Sequence, residues 1–78
     1  MKPTGRLEDW VYDNLFNCIW GFVYEDIHGR FKEGTWIHTS SLKQTREATK
    51  KIPLKEGDFV STLNSVYLLG KPKEEKNV

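Results

Sequence analysis

The sequence has one cysteine, no long apolar run and almost no net charge. With Cys18 as the only cysteine, an intrachain disulfide and a cysteine-based metal cluster are excluded, and we expect a small buried hydrophobic residue at this position. The longest apolar run, residues 18–24, is far shorter than the roughly 20 residues of a membrane-spanning helix. The first ten residues also lack the apolar stretch of a signal peptide. We therefore expect a protein of a reducing, cytoplasmic compartment.

The balance of charge argues against a polyanionic partner. Twelve basic residues nearly cancel eleven acidic ones, so there is no electrostatic reason to expect binding to DNA, RNA or an anionic membrane. A local basic cluster nevertheless keeps a nucleic-acid-binding module open as an alternative, and its members are Lys43, Arg46, Lys50 and Lys51.

Motifs for catalysis and for metal binding are also missing. We find no phosphate-binding loop and no defensible Ser/His/Asp spacing, and His28 and His38 are separated without an obvious third metal ligand. We predict a protein that is not an enzyme and that carries no metal or other cofactor.

What the sequence does contain is a set of short β-strands. A chain of 78 residues forms one domain with a thin core, to which its three Trp, three Tyr and four Phe residues contribute large side chains. β-forming residues and alternation predict strands at 9–13, 16–25 and 35–40, with a hairpin over 57–70 that turns at Leu63–Ser65. The predicted fold is mainly β: a small, strongly bent antiparallel sheet or partly open barrel, SH3-like or OB-like, of about five strands.

Two further segments complete the predicted organisation. Residues 41–56 are polar, and a short exposed helix at 42–51 is one interpretation, which Pro53 would end. We expect a single domain over 1–70 and a flexible charged tail over 71–78.

The segment 16–25 is apolar on both faces. One face carries Phe16, Cys18, Trp20, Phe22 and Tyr24, and the other carries Ile19 and Val23 beside Gly21. An aromatic stripe of this kind is more often core than a ligand platform, but it could also face a second copy of the chain. Because so short a chain has difficulty covering both faces, we predict a homo-oligomer, most simply a dimer. Gly21 is typical of a bulge or a sharp bend.

The segment "GRFKEGTWIHTS", residues 29–40, divides into two parts. Gly29 and Gly34 are predicted to be structural, because a connection between twisted strands often needs positive φ. Alternation directs Ile37 to the core and turns Trp36 and His38 to the opposite side.

The same segment resembles a pattern in small uncharacterised phage and prophage proteins. In those proteins a "GRF-x-D-G" loop leads to "I-x-T-S", and a later "T-x-N-S-x-Y" closes the chain. The residues that match are Gly29, Arg30, Phe31, Gly34, Ile37, Thr39, Ser40, Thr62, Asn64, Ser65, Tyr67 and Leu68, with Glu33 in place of the Asp. The match covers about half of the chain and leaves out residues 1–22 and 41–56.

The resemblance implies a counter-defence role without catalysis, because small accessory phage proteins often bind a host immune protein or sequester a nucleotide immune signal. The leading hypothesis is a sponge for such a nucleotide, acting in the host cytoplasm. One of three aromatic residues would stack on its base: Trp20, Trp36 or Tyr67. Arg30 would meet a phosphate. Hydrogen bonds would come from His38, Thr39, Ser40 and Asn64. The alternative is a protein-binding inhibitor of a host defence complex, which would use an exposed apolar strand edge or patch.

Overall fold

A computed structural model describes residues 2–43 and 53–73, and within these ranges it contains five strands and no helix. The strands are β1 (Gly5–Asp13), β2 (Cys18–Tyr24), β3 (Thr35–His38), β4 (Phe59–Ser61) and β5 (Val66–Leu69). They form one sheet in the order β3-β2-β1-β5-β4, so the predicted small, mainly β fold is confirmed. Most of the predicted helix at 42–51 lies outside the described ranges. No helix within those ranges is long and apolar enough to cross a membrane.

The sheet is mixed, which differs in one strand pair from the antiparallel prediction. β1–β2, β2–β3 and β4–β5 are antiparallel, whereas β1 and β5 are parallel. The β4–β5 hairpin joins the sheet through its second strand, and Thr4 N donates to Val66 O where that pairing begins. Residues 71–73 of the predicted tail continue alongside β1, with Lys73 N donating to Trp10 O at 2.9 Å; residues 74–78 lie outside the described ranges.

The core lies on the Ile19–Val23 side of β2. Both side chains are fully buried, and strand alternation puts Gly21 between them on the same face. The other buried apolar residues that pack with them are Leu7, Trp10, Ile37, Leu42, Val60, Tyr67 and Leu69. The expectation that the aromatic stripe would be core is therefore wrong for most of its members: Cys18 is buried, but Phe16 is 65% exposed and the rest are half-buried.

A bulge in β1 allows Trp10 to enter the core. Glu8 pairs with Phe22 and Val11 pairs with Trp20, so Asp9 and Trp10 together lie opposite Gly21. Asp9 has a φ of 49°, as expected where one extra residue is accommodated. The Trp10 indole then donates to Gly70 O at 2.8 Å, which satisfies its polar atom inside the core. The expected irregularity is present opposite Gly21.

The open side of the sheet is bridged by the segment that follows β3. Leu42 N donates to Asn17 O beside β2, and Lys43 pairs with Ser61 at the edge of β4. This crossing brings the end of β3 close to the β4–β5 turn, although β3 and β4 are at opposite ends of the sheet. Residues far apart in the sequence therefore meet at this side of the core.

Candidate functional site

A cleft of about 260 Å³ opens at the rim of the core, where three segments meet. They are the loop 26–31, the end of β3 with the residues after it, and the turn 62–65 with the first residues of β5. Six of the eight predicted ligand-binding residues line the cleft: Arg30, His38, Thr39, Ser40, Asn64 and Tyr67. Its other lining residues are Phe31, Ile37, Thr62, Leu63 and Ser65. Because most of these residues belong to the phage-like pattern, we call it the motif cleft.

The loop that carries Arg30 is built around the buried carboxylate of Asp26, whose side chain is only 2% exposed. Its Oδ1 accepts a hydrogen bond from His28 N, and its Oδ2 accepts from Arg30 N and Phe31 N. Burial disfavours the charged form. The bonds from His28 and Arg30, the Arg30 charge and the bond from Phe31 together nevertheless hold the pKa of Asp26 below its ordinary value. Gly29, with a φ of 63°, completes the turn as predicted.

Arg30 is held at the cleft from two sides. Its Nε lies 3.8 Å from Asp26 Oδ2, and its Nη2 donates to Ser65 Oγ at 3.1 Å. Its guanidinium also lies 5.6 Å from the centre of the Phe31 ring. The side chain remains 43% exposed, so its outer N–H groups are accessible to a ligand. The lining residues include no Asp or Glu, so an anion in the cleft would meet the outer N–H groups of Arg30, while the Asp26 carboxylate lies on the Nε side of the guanidinium.

The hydroxyl groups of the cleft divide between structural and accessible positions. Thr39 is buried, and its Oγ1 accepts from Ile19 N at 3.0 Å and donates to Ser40 O at 2.8 Å. This hydroxyl links the end of β3 to β2. Because both of its hydrogen bonds are made to backbone groups, it is engaged in the fold rather than presented to a ligand as predicted. Ser40 and Asn64 are exposed, and they are the predicted hydrogen-bonding residues that a ligand could reach most easily. Tyr67 is buried and forms part of the cleft floor.

Trp20 and Trp36 do not line the motif cleft. They lie on the opposite side of the sheet, where Trp36 is 44% exposed while Ile37 is buried, as the alternation predicted. The ring centres of Trp20 and Trp36 are 6.4 Å apart in a stacked arrangement, and Phe22 meets Trp36 edge-on at 4.8 Å. We call this surface the outer aromatic face; its members are Val11, Phe16, Trp20, Phe22 and Trp36.

His38 lies at the border between the two surfaces. Its ring centre is 4.7 Å from that of Trp20, and it also lines the motif cleft. A groove of about 430 Å³ on the outer side begins here, between Phe16, Trp20 and His38, and shares Thr39 and Ser40 with the motif cleft. A second groove of about 460 Å³ lies between Phe22 and Trp36, with Asp9 and Lys73 at its sides.

The Trp20 indole is fixed by Asp13. Its Nε1 donates to Asp13 Oδ2 at 3.2 Å, while Leu15 N and Phe16 N donate to Asp13 Oδ1. The bond from Phe16 N, assisted by those from Trp20 and Leu15 and opposed by partial burial, holds the pKa of Asp13 below its ordinary value. A negative charge therefore stands at one end of the outer aromatic face.

The described residues show no arrangement that favours metal binding or a thiolate nucleophile. No group of three or more His, Cys, Asp or Glu side chains within 2–43 and 53–73 is placed to hold a metal ion. Burial, together with the Asp13 charge, raises the pKa of the Cys18 thiol. Of the basic cluster considered for nucleic acid, Lys43 is described and exposed, whereas Arg46, Lys50 and Lys51 lie outside the described ranges.

Two features of the cleft were not apparent in the sequence. Asp26 takes no part in the prediction made from the sequence, although a carboxylate shortly before Gly29 is typical of a side chain that caps a loop. Leu63, which is 70% exposed at the cleft rim, was treated only as a turn residue.

Comparison with known proteins adds no family to this description: no family model, curated protein or solved structure matches the chain.

Proposed function

We propose that the protein is a non-enzymatic binding module that captures a small anionic ligand of the nucleotide type in the motif cleft. One observation carries this proposal. Six of the eight residues predicted from the sequence come from three separate segments and line the same cleft. Packing of the core accounts for Ile37 and Tyr67, but it does not require Arg30, Ser40 and Asn64 at the rim.

The charge and geometry of the cleft suit a phosphate. Arg30 presents a planar set of N–H donors that matches phosphate oxygens, and its contacts with Asp26 and Ser65 reduce the freedom that binding would otherwise remove. Exposed Ser40 and Asn64 add neutral donors beside it. We assign the anionic end of the ligand to this group.

The size of the cleft indicates how the rest of the ligand lies. Its volume of about 260 Å³ is below the roughly 300–1,000 Å³ of pockets that enclose a small molecule. A nucleotide would therefore place its phosphate inside and its base at the rim, against Leu63 and the His38 ring. Stacking on Trp20 or Trp36 is not part of this proposal, because neither residue lines the cleft.

The biological role that we propose is sequestration, in the host cytoplasm, of a nucleotide immune signal by a phage-type counter-defence protein. Its support is the resemblance to the phage pattern, together with the meeting of the residues of that pattern at one cleft. A sponge requires tight binding without turnover, and for this role we assign no catalytic residue.

Thermal melting against a panel of nucleotides and cyclic nucleotides tests the proposal. A ligand present at about 100 times its Kd adds about 2.7 kcal/mol to the free energy of unfolding, which is a visible shift of the melting temperature. Arg30→Ala should abolish the shift. The matched control is Lys32→Ala, which removes an exposed basic residue of the same connection that does not line the cleft. The recovered nucleotide should be chemically unchanged.

Two results would contradict the proposal. If the melting temperature of Arg30→Ala still rose with the nucleotide, the binding site would lie elsewhere. If no nucleotide raised the melting temperature of the wild-type chain, nucleotides would be excluded as the ligand. If a host defence complex bound the chain while no nucleotide did, the protein-binding inhibitor would take the place of the sponge.

A further inference from the structure

The outer aromatic face leaves several large apolar side chains exposed on one side of the sheet. Phe16 and Trp36 are 65% and 44% exposed, and at roughly 200 Å² per large aromatic side chain they alone leave roughly 220 Å² in contact with water. Val11 and the half-buried Trp20 and Phe22 bring the patch to roughly 350 Å².

This area amounts to most of the apolar part of a standard protein interface. Such interfaces bury about 800 Å² on each partner, of which about 56–65% is apolar, or about 450–520 Å². Three of the rings are also held in place before any partner binds, because Trp36 contacts both Trp20 and Phe22 and the Trp20 indole is bonded to Asp13. Little side-chain freedom remains to be lost on association.

We propose that the outer aromatic face is the interface of a homodimer, in which it packs against the same face of a second copy. The two sheets would face each other with side chains interdigitated at the spacing of about 10 Å that is usual between packed sheets. A twofold interface brings identical patches together, so one surface of sufficient area satisfies both copies.

The charges around the patch select the orientation. Asp13 stands at one end, and Lys73 stands with Asp9 beside the groove at the other end. A twofold axis along the strands would place Asp13 against Asp13. An axis across the strands reverses the ends, which brings Asp13 of one copy near Lys73 of the other, with Asp9 beside that lysine, and avoids a contact between carboxylates alone.

The experiment compares sedimentation of the wild-type chain with that of two face variants. At about 100 μM we expect the wild-type chain to sediment at twice its 9.1 kDa mass. Trp36→Asp should raise the dimer dissociation constant at least about tenfold, because it buries an unpaired charge in the interface. Phe16→Asp, in the exposed turn before β2, is the second variant and serves if Trp36→Asp fails to fold.

The matched control is Ile27→Asp. Ile27 is 57% exposed, but it lies beside Pro3, Arg6 and Leu68 rather than on the outer aromatic face. It should leave the dimer intact. A wild-type chain that is monomeric at about 100 μM would overturn the proposal. It would do so even if the outer aromatic face were then found to bind a different protein. Dimerisation that survives both face variants would also overturn it. Arg30→Ala should dimerise normally, so failure of the nucleotide proposal and failure of this one are distinguishable.

Discussion

Asp26→Asn tests the claim that one buried carboxylate organises the loop beside the cleft. The substitution preserves shape and removes the charge and one acceptor oxygen. In the native loop Oδ1 accepts from His28 N at 3.2 Å, and Oδ2 accepts from Arg30 N at 2.8 Å and from Phe31 N at 3.2 Å. Whichever way the amide is turned, its NH₂ group faces at least one of these backbone donors.

The expected loss follows from the number of bonds that fail. With the amide nitrogen in the Oδ1 position, the His28 bond is lost; in the Oδ2 position, the Arg30 and Phe31 bonds are lost. A hydrogen bond to a charged acceptor contributes about 1.5–3 kcal/mol, but the released N–H groups of an exposed loop can reach water. We therefore expect Asp26→Asn to lower the free energy of unfolding by about 1.5–3 kcal/mol, a large part of the stability of a small domain.

The pH dependence has a definite sign. The pKa of Asp26 is lower in the folded chain than the value of about 3.9 in an unfolded one. Its stabilising contribution is therefore fully present above the unfolded pKa and is lost as the pH falls through the folded pKa. The stability difference between wild type and Asp26→Asn should be constant above about pH 5 and should shrink below about pH 4.

Urea unfolding between about pH 2 and pH 7 measures this difference. Asp58→Asn is the matched control, since the Asp58 carboxylate accepts one bond, from Lys55 N, in the described part of the chain. It should cost less than Asp26→Asn. If Asp26→Asn unfolds within about 0.5 kcal/mol of wild type at neutral pH, Asp26 does not organise the loop and the reasoning is refuted.

Three further predictions concern the core. Ile37→Ala should lower the free energy of unfolding by about 2–5 kcal/mol in urea titrations. Trp36→Ala, measured at concentrations too low for self-association, should lower it by about 1–3 kcal/mol, because the half-exposed ring still loses its contacts with Trp20 and Phe22. Gly21→Ala should cost about 1–3 kcal/mol, because the new methyl group would lie 3.2 Å from the carbonyl oxygen of Glu8 on β1; an unchanged melting temperature would contradict the packing. Cys18, buried and with a raised pKa, should be alkylated at about pH 8 at least about tenfold faster in urea than in the native protein, and equal rates would show that it is accessible.

Local features of the fold could be predicted from the sequence because they depend on neighbouring residues. Alternation correctly separated Ile37 from Trp36, and the side-chain chemistry of the residues at 63–65 correctly indicated the hairpin turn. Gly29 and Gly34 were predicted to need positive φ, and they have φ values of 63° and 79°. Each of these predictions uses a preference that operates over a few residues of chain.

The candidate site was predicted only in part. The pattern named most residues of the motif cleft, because they are polar or basic residues at positions where core packing does not require them. It did not separate the cleft from the outer aromatic face, and it therefore grouped Trp20 and Trp36 with Arg30. A strand that is apolar on both sides presents two faces of similar hydrophobicity, so periodicity cannot decide which one is core.

By itself, then, the sequence determined that the chain forms short strands, where they turn, and which residues share a face within each strand. Only the tertiary structure decided that Ile19 and Val23 face the core, that β5 lies parallel to β1, and that residues 30, 40 and 64 meet at one cleft. The physical reason is that these outcomes depend on contacts between distant segments. Which face of β2 is buried depends on whether Leu69 and Val60 of the final hairpin pack against it, and no local preference of residues 18–24 contains that information.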